Sequence, residues 1–140
     1  MSAVAVFITA ANAREARRLA ETLVAEKLAA CVTDAGVVRS VYRWKGRVER
    51  ARERLLIAKT ARRRLAALTA RVKTLHSYEV PETVAFPLVG GNAAYLAWVE
   101  RETDQRAAIP SEHRGVFKAA ERATTSSRTR RPSPSSKNRG

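Results

Sequence analysis

The chain has 140 residues, 45% of them hydrophobic, and carries 27 Lys and Arg against 13 Asp and Glu, a formal net charge of +14. That length sets an expectation of one domain, and the apolar share is ordinary for a globular core. The lone Cys31 excludes an intrachain disulfide and fits a reducing compartment, and the apolar run Ala3 to Ala11 has no basic segment before it and falls short of the ~20 residues that cross a bilayer, so the chain reads as a cytoplasmic protein with no membrane partner.

Val4 to Thr9 is rich in β-branched residues and predicts a central strand covered on both faces. Asn12 reads as an N-cap, with Glu15 three residues on in the manner of a capping box. Ala16, Leu19, Ala20, Leu23 and Val24 then recur at helical spacing, and the helix should end near Leu28 or Ala29. Cys31 to Trp44 predicts a second strand with a bulge at Asp34-Ala35-Gly36. Lys45-Gly46 marks a tight turn, and Arg47 to Thr60 predicts a third strand, charged in its first half and apolar over Leu55 to Ala58. Leu65, Leu68, Val72 and Leu75 place a second helix over Ala61 to Leu75. Val80 to Leu88 predicts a fourth strand whose Pro81 and Pro87 belong near its ends or on an edge. Asn92 can cap a last helix carrying Tyr95, Leu96, Trp98 and Val99.

From Asp104 onward the only large apolar residues are Ile109, Val116 and Phe117, and Ser, Thr, Arg and Pro take over. Such a stretch buries too little surface to offset the entropy of ordering it. Residues 1–103 are therefore expected to form the domain and residues 104–140 a basic, disordered tail. The domain holds 18 Lys and Arg against 10 acids and the tail 9 against 3, so both are basic. Loose, nonspecific contact of the tail with nucleic acid follows as an expectation.

Strand, helix, hairpin, helix, strand is the split β-α-β arrangement of ferredoxin-like α+β folds, here with an extended hairpin and a C-terminal helix. Right-handed crossovers put the first two helices on one face of a four-stranded antiparallel sheet. The hairpin is too long for such a sheet: each arm reaches ~13 residues, about 40 Å at ~3.3 Å per residue. Its far part carries Val38, Ser40, Tyr42 and Trp44 on one side. An unsupported aromatic ribbon and a bare sheet face both call for cover, and neighbouring copies of the same chain in closed symmetry supply it. The competing expectation is that the ribbon curls onto its own domain.

Five ordered segments resemble the CutA family of divalent-cation tolerance proteins: Glu26 to Val32, Arg39 to Gly46, Leu55 to Thr60, His76 to Glu82 and Asn92 to Trp98. The resemblance covers about residues 3–102. It implies a ferredoxin-like subunit in a homotrimer, similar in architecture to PII signalling proteins, and a role in tolerance of copper and other divalent metals with no defined reaction. It also marks His76 as a metal candidate, at the second His of a His-His-Pro-Tyr stretch of copper-associated members. Here that stretch reads Leu75-His76-Ser77-Tyr78, and Ile8 replaces a Cys linked to copper, so two of three implied ligands are missing. The resembled fold gathers Tyr42, Trp44, Lys59, Tyr78 and Glu82 at a cleft between subunits, where Lys59 would hold a small anion. The competing reading makes the aromatics interface packing and Lys59 with Glu82 an ordinary ion pair.

Cys31 is expected to pack in the core, and His113 to be solvated in the tail. Arg62-Arg63-Arg64 opens a helix where the dipole disfavours cations, either as a solvated patch or as an anion contact. No nucleophile elbow, P-loop, CxxC or His-Glu-x-x-His pattern occurs, so no enzyme is expected. The alternatives to a cation-tolerance protein are a PII-like sensor of small anions and a nucleic-acid-associating protein that grips through its tail.

Overall fold

Val4, Val6, Ile8 and Ala10 alternate along the first strand, β1 (Ala3–Ala10), and all are buried. Period-two alternation puts them on one face, where they meet Ala16, Leu19 and Leu23 of α1 (Ala13–Ala25) and Leu68 and Val72 of α2 (Leu65–Leu75). The computed structural model describes residues 3–105. They fall in one unit, Met1–Ala107; the second unit, Ala108–Gly140, lies outside the described residues, as do the expectations for the tail and for His113.

The remaining elements are β2 (Cys31–Trp44), β3 (Arg47–Ala61), β4 (Thr83–Pro87) and α3 (Ala93–Glu102). The sheet order is β2-β3-β1-β4 with every pairing antiparallel, the ferredoxin-like order. β1 sits between β3 and β4, the central position expected of it, but its second face is not fully covered: Ala5 and Phe7, turned away from the two helices, are only half-buried. Residues facing away from α1 and α2 include Phe7, Ile57, Val84 and Phe86. Phe7 and Phe86 stack at 5.0 Å, and Val84 and Phe86 remain 45% and 49% exposed. Helix α3 covers one end of this face, burying Trp98 and Val99.

Several element ends differ from expectation for physical reasons. Helix α1 stops at Ala25, because Lys27 turns left-handed at φ 61° and the Leu28 and Ala29 N–H groups both bond the Leu23 carbonyl. Arg62–Arg64 form a single 3-10 turn ahead of α2, in which Arg63 pairs with Glu100 of α3 at 2.7 Å. That pair gives the arginine run a partner within the fold. Strand β4 is five residues long, with Pro87 at its end paired to Val4. Cys31 lies on the face away from α1 and α2, half-buried, with its sulfur 3.9 Å from the Thr33 hydroxyl, so the expected place in the main core is corrected.

The bulge falls where expected, between Asp34 and Val37. The Asp34 carboxylate accepts the Gly36 N–H at 2.9 Å and pairs with Arg54 at 3.2 Å. Pairing of β3 with β1 ends at Arg54, so Arg47 to Glu53 run on with β2 as a two-stranded ribbon, about 23 Å at ~3.3 Å per residue. Lys45 (φ 51°) and Gly46 (φ 81°) close it, the two left-handed positions of a two-residue hairpin turn. The ribbon is not wholly without support. The segment before β4 runs beside it, and Glu79 reaches Lys45 at 3.9 Å.

Candidate functional site

The start of α1, the end of β1, the loop after α2 and the ribbon converge on one hydrogen-bonded system. Asn12 caps α1 by accepting the Glu15 N–H at 2.9 Å. Glu15 reaches back to accept the Ala11 N–H at 2.8 Å, a capping box displaced by one residue. Its second oxygen accepts the Ser77 N–H at 2.7 Å, which fastens the loop after α2 to the head of α1. Burial alone would raise the Glu15 pKa; the two N–H donors outweigh it and hold the carboxyl below its ordinary value.

His76 follows directly on α2, its side chain fully buried. Nδ1 accepts the Tyr78 N–H at 3.1 Å, so the ring proton sits on Nε2, which donates to the Thr9 carbonyl at 2.7 Å. Both nitrogens are thus committed within the fold. Ile8 is fully buried, and Leu75 packs against the core. Among the described residues no three His, Cys, Asp or Glu side chains cluster as a metal site. Copper and zinc take several N, S or O donors, so the donor set of one subunit does not fit such an ion at His76.

Tyr78 turns from this system toward the ribbon, its ring 4.6 Å from that of His76. Its hydroxyl donates to Glu53 at 2.7 Å, and the other Glu53 oxygen accepts the Ser40 hydroxyl at 2.6 Å. Glu53 is only 7% exposed. Burial, and then the Glu53 carboxylate, push the Tyr78 phenol well up, so it stays a hydrogen-bond donor.

A cleft of about 410 Å3 opens beside this pair, lined by Tyr42, Trp44, Glu53, Tyr78, Glu79 and Glu82, with Thr9, Ser40 and Val80 completing the wall. Burial, and then the nearby Glu53 carboxylate, raise the Glu82 pKa above its ordinary value. Four of the five residues expected at the cleft thus meet there within one subunit: Tyr42, Trp44, Tyr78 and Glu82. Lys59 does not. It lies six residues along β3 from Glu53, about 20 Å at ~3.3 Å per residue, with its ammonium 5.8 Å from the centre of the Tyr95 ring. No ion pair joins it to Glu82 among the described residues. Burial, and then the Cys31 thiol, push the Tyr95 phenol up to about 12. The charged groups lining the cleft are therefore carboxylates, and Glu53 is the member that residue types alone did not single out. It lies in a charged run, and only the pairing of Val38 with Glu53 and Ser40 with Ala51 brings it under Tyr78.

A family model described as CutA1 divalent ion tolerance protein matches residues 4–102. The chain belongs to this CutA family. It is 45% identical over 98 residues to the divalent-cation tolerance protein CutA of Thermus thermophilus, an alignment covering 70% of this chain and 95% of that one. It is 45% identical over 100 residues to the chloroplastic CutA 1 of Oryza sativa, covering 71% of this chain and 56% of that relative, so the chain spans little more than half the length of the plant protein. The solved Thermus thermophilus structure superposes with a TM-score of 0.71 at 43% identity, covering 73% of this chain and 99% of that one. A CutA structure from Archaeoglobus fulgidus, described as periplasmic, superposes with a TM-score of 0.70 at 34% identity, covering 73% and 99%. No helix among the described residues is long and apolar enough to cross a membrane.

Proposed function

We propose that this chain is a non-enzymatic, cytoplasmic homotrimer that acts in the response to divalent cations such as copper, with the cleft at Glu53 and Glu82 as its ligand site and residues of a neighbouring copy completing it. The observation that carries this reading is the acidic and aromatic lining of the cleft on a ribbon that outruns its own sheet. Carboxylates close together favour a cation, since each raises the cost of ionising the other until a positive charge neutralises both. The apolar strip of Phe7, Val84 and Phe86 supports self-association, because this face and the projecting ribbon are two different patches that head-to-tail contacts can close into a ring. Membership in a divalent-ion tolerance family agrees with a cation. The lone Cys31 is consistent with the cytoplasm.

His76 enters this reading as the residue that positions Tyr78. For it to ligate copper, the bond to Thr9 or that to Tyr78 would have to break. A small anion held by Lys59 is the second reading; it needs the Lys59 of one copy to reach the cleft of another.

Light scattering on the eluting protein, with calorimetric titration of Cu(II), Zn(II) and Mg(II) into parent and Glu82→Gln, tests the proposal. A mass three times the 15.4 kDa chain and a transition-metal affinity lowered by Glu82→Gln are expected. A monomer at micromolar concentration removes the trimer. A metal affinity untouched by Glu82→Gln, or binding of phosphate anions that Lys59→Ala abolishes, removes the cation cleft.

A further inference from the structure

The projecting ribbon gathers most of its arginines on one face. Opposed residues in an antiparallel pair share a face. The face turned toward the α1/α2 side of the sheet carries Arg39, Arg43, Arg50, Arg52 and, at the base of the ribbon, Arg54, interleaved with valines; the one acid that meets this face is Asp34, across the bulge from Arg54. The other face takes Glu49 and Glu53 together with Tyr42 and Trp44, and Arg47 opposite Trp44 at the tip. Arg54 pairs with Asp34, whereas Arg39, Arg43, Arg50 and Arg52 are exposed and make no ion pair among the described residues. Arg39 stands directly across from Arg52, an arrangement that like-charge repulsion makes unfavourable in an isolated sheet. The valines between them, Val37, Val41 and Val48, are 49%, 65% and 53% exposed, so nothing among the described residues lies over this face.

We propose that this arginine face binds the phosphate backbone of double-stranded nucleic acid. Guanidinium groups present forked donors that match phosphate oxygens, and a phosphate between Arg39 and Arg52 turns their repulsion into shared attraction. A two-stranded ribbon, its strands ~4.8 Å apart, is narrow enough for a major groove about 12 Å wide. The face has no aromatic residue on which an unpaired base would stack, which favours a duplex over a single strand. It also has no Trp, Phe or Leu of the kind that anchors a protein in a lipid headgroup layer. Contacts to phosphate carry no sequence information, so binding is indifferent to sequence. This surface is separate from the cleft, which opens on the opposite face, and the inference stands whether or not the cleft binds a cation.

The test uses the full chain and a fluorescent 20-base-pair duplex of arbitrary sequence, with anisotropy read across about 50 to 200 mM salt. One variant carries Arg39→Gln, Arg43→Gln, Arg50→Gln and Arg52→Gln. A control loses the same number of charges elsewhere through Arg14→Gln, Arg17→Gln, Arg62→Gln and Lys73→Gln, all exposed positions. The ribbon variant should bind at least tenfold more weakly, with a log–log salt slope flatter by about 3 to 4, as the loss of four phosphate contacts requires. The double variant Arg50→Gln/Arg52→Gln should show about half that change in slope and guards against misfolding of the larger one, with circular dichroism checking both. Equal losses in ribbon variant and control, an unchanged slope, or retention on anionic vesicles with no duplex binding would each overturn the proposal.

Discussion

Glu53 accepts the Tyr78 hydroxyl at 2.7 Å across 25 residues of chain, and so joins the base of the ribbon to the loop that leaves α2. The same carboxylate takes the Ser40 hydroxyl. Tyr78→Phe removes one bond to a charged acceptor and should cost about 1.5 kcal/mol, near the low end for such bonds. Glu53→Ala leaves both hydroxyls unpaired and should cost more. Urea unfolding of both variants checks the order; equal midpoints to the parent would mean that the bond contributes nothing in solution.

His76 should prove structural when removed. Its buried ring satisfies the Thr9 carbonyl and the Tyr78 N–H. His76→Ala leaves both without that partner and opens a cavity, at a cost of about 2 kcal/mol or more. The assembly should survive, and Cu(II) affinity should change only as far as Tyr78 moves. A selective loss of copper binding with stability unaltered would instead assign the imidazole to the metal.

Two carboxyls give stability opposite dependences on pH. Glu15 has its folded pKa held below the ordinary 4.5, so its contribution is present above that value and is lost as pH falls through the folded pKa. Glu15→Gln should therefore flatten the acid limb of the stability curve and weaken the fold at neutral pH. Glu82 has its folded pKa raised above 4.5, so its ionisation opposes folding at neutral pH and that cost fades as the group protonates. Glu82→Gln should raise the melting temperature at pH 7 and change little below about pH 4.5. Thermal scans from pH 3 to 8 separate the two.

Self-association can be tested at the apolar strip. Phe86→Ser and Trp44→Ser remove exposed rings, 49% and 38% accessible in the subunit. Each should raise the protein concentration at which assembly is half complete while the subunit keeps its secondary structure. Sedimentation profiles identical to the parent at nanomolar concentration would locate the contact elsewhere.

Much of this architecture was legible in the chain because local signals agreed with the tertiary result. Asn12 and Glu15 announce the head of α1, Lys45-Gly46 the hairpin, and Asp34 to Gly36 the bulge. Element ends were less legible where a distant partner decides them. Arg63 is drawn into a 3-10 turn by Glu100, and nothing near residue 63 encodes that contact. The candidate site was harder to read for the same reason. Tyr42, Trp44, Tyr78 and Glu82 are marked by residue type, but Glu53 becomes a site residue only through strand register, and Lys59 leaves the site through its distance along the same strand.

The extra residue near Ala35 sets the aim of everything beyond it. Between Asp34 opposite Leu56 and Val37 opposite Arg54, β2 spends two intervening residues where β3 spends one. A bulge bends its strand and increases the local twist, so that single surplus sets the direction in which the ribbon carries Tyr42 and Trp44. Deleting Ala35 would make the register uniform along β2 and leave each cross-strand pair from Val37 with Arg54 to Trp44 with Arg47, and with them the two faces, in place. What one codon lost there would change is the line along which the ribbon leaves its sheet, and with it where the aromatic side is presented.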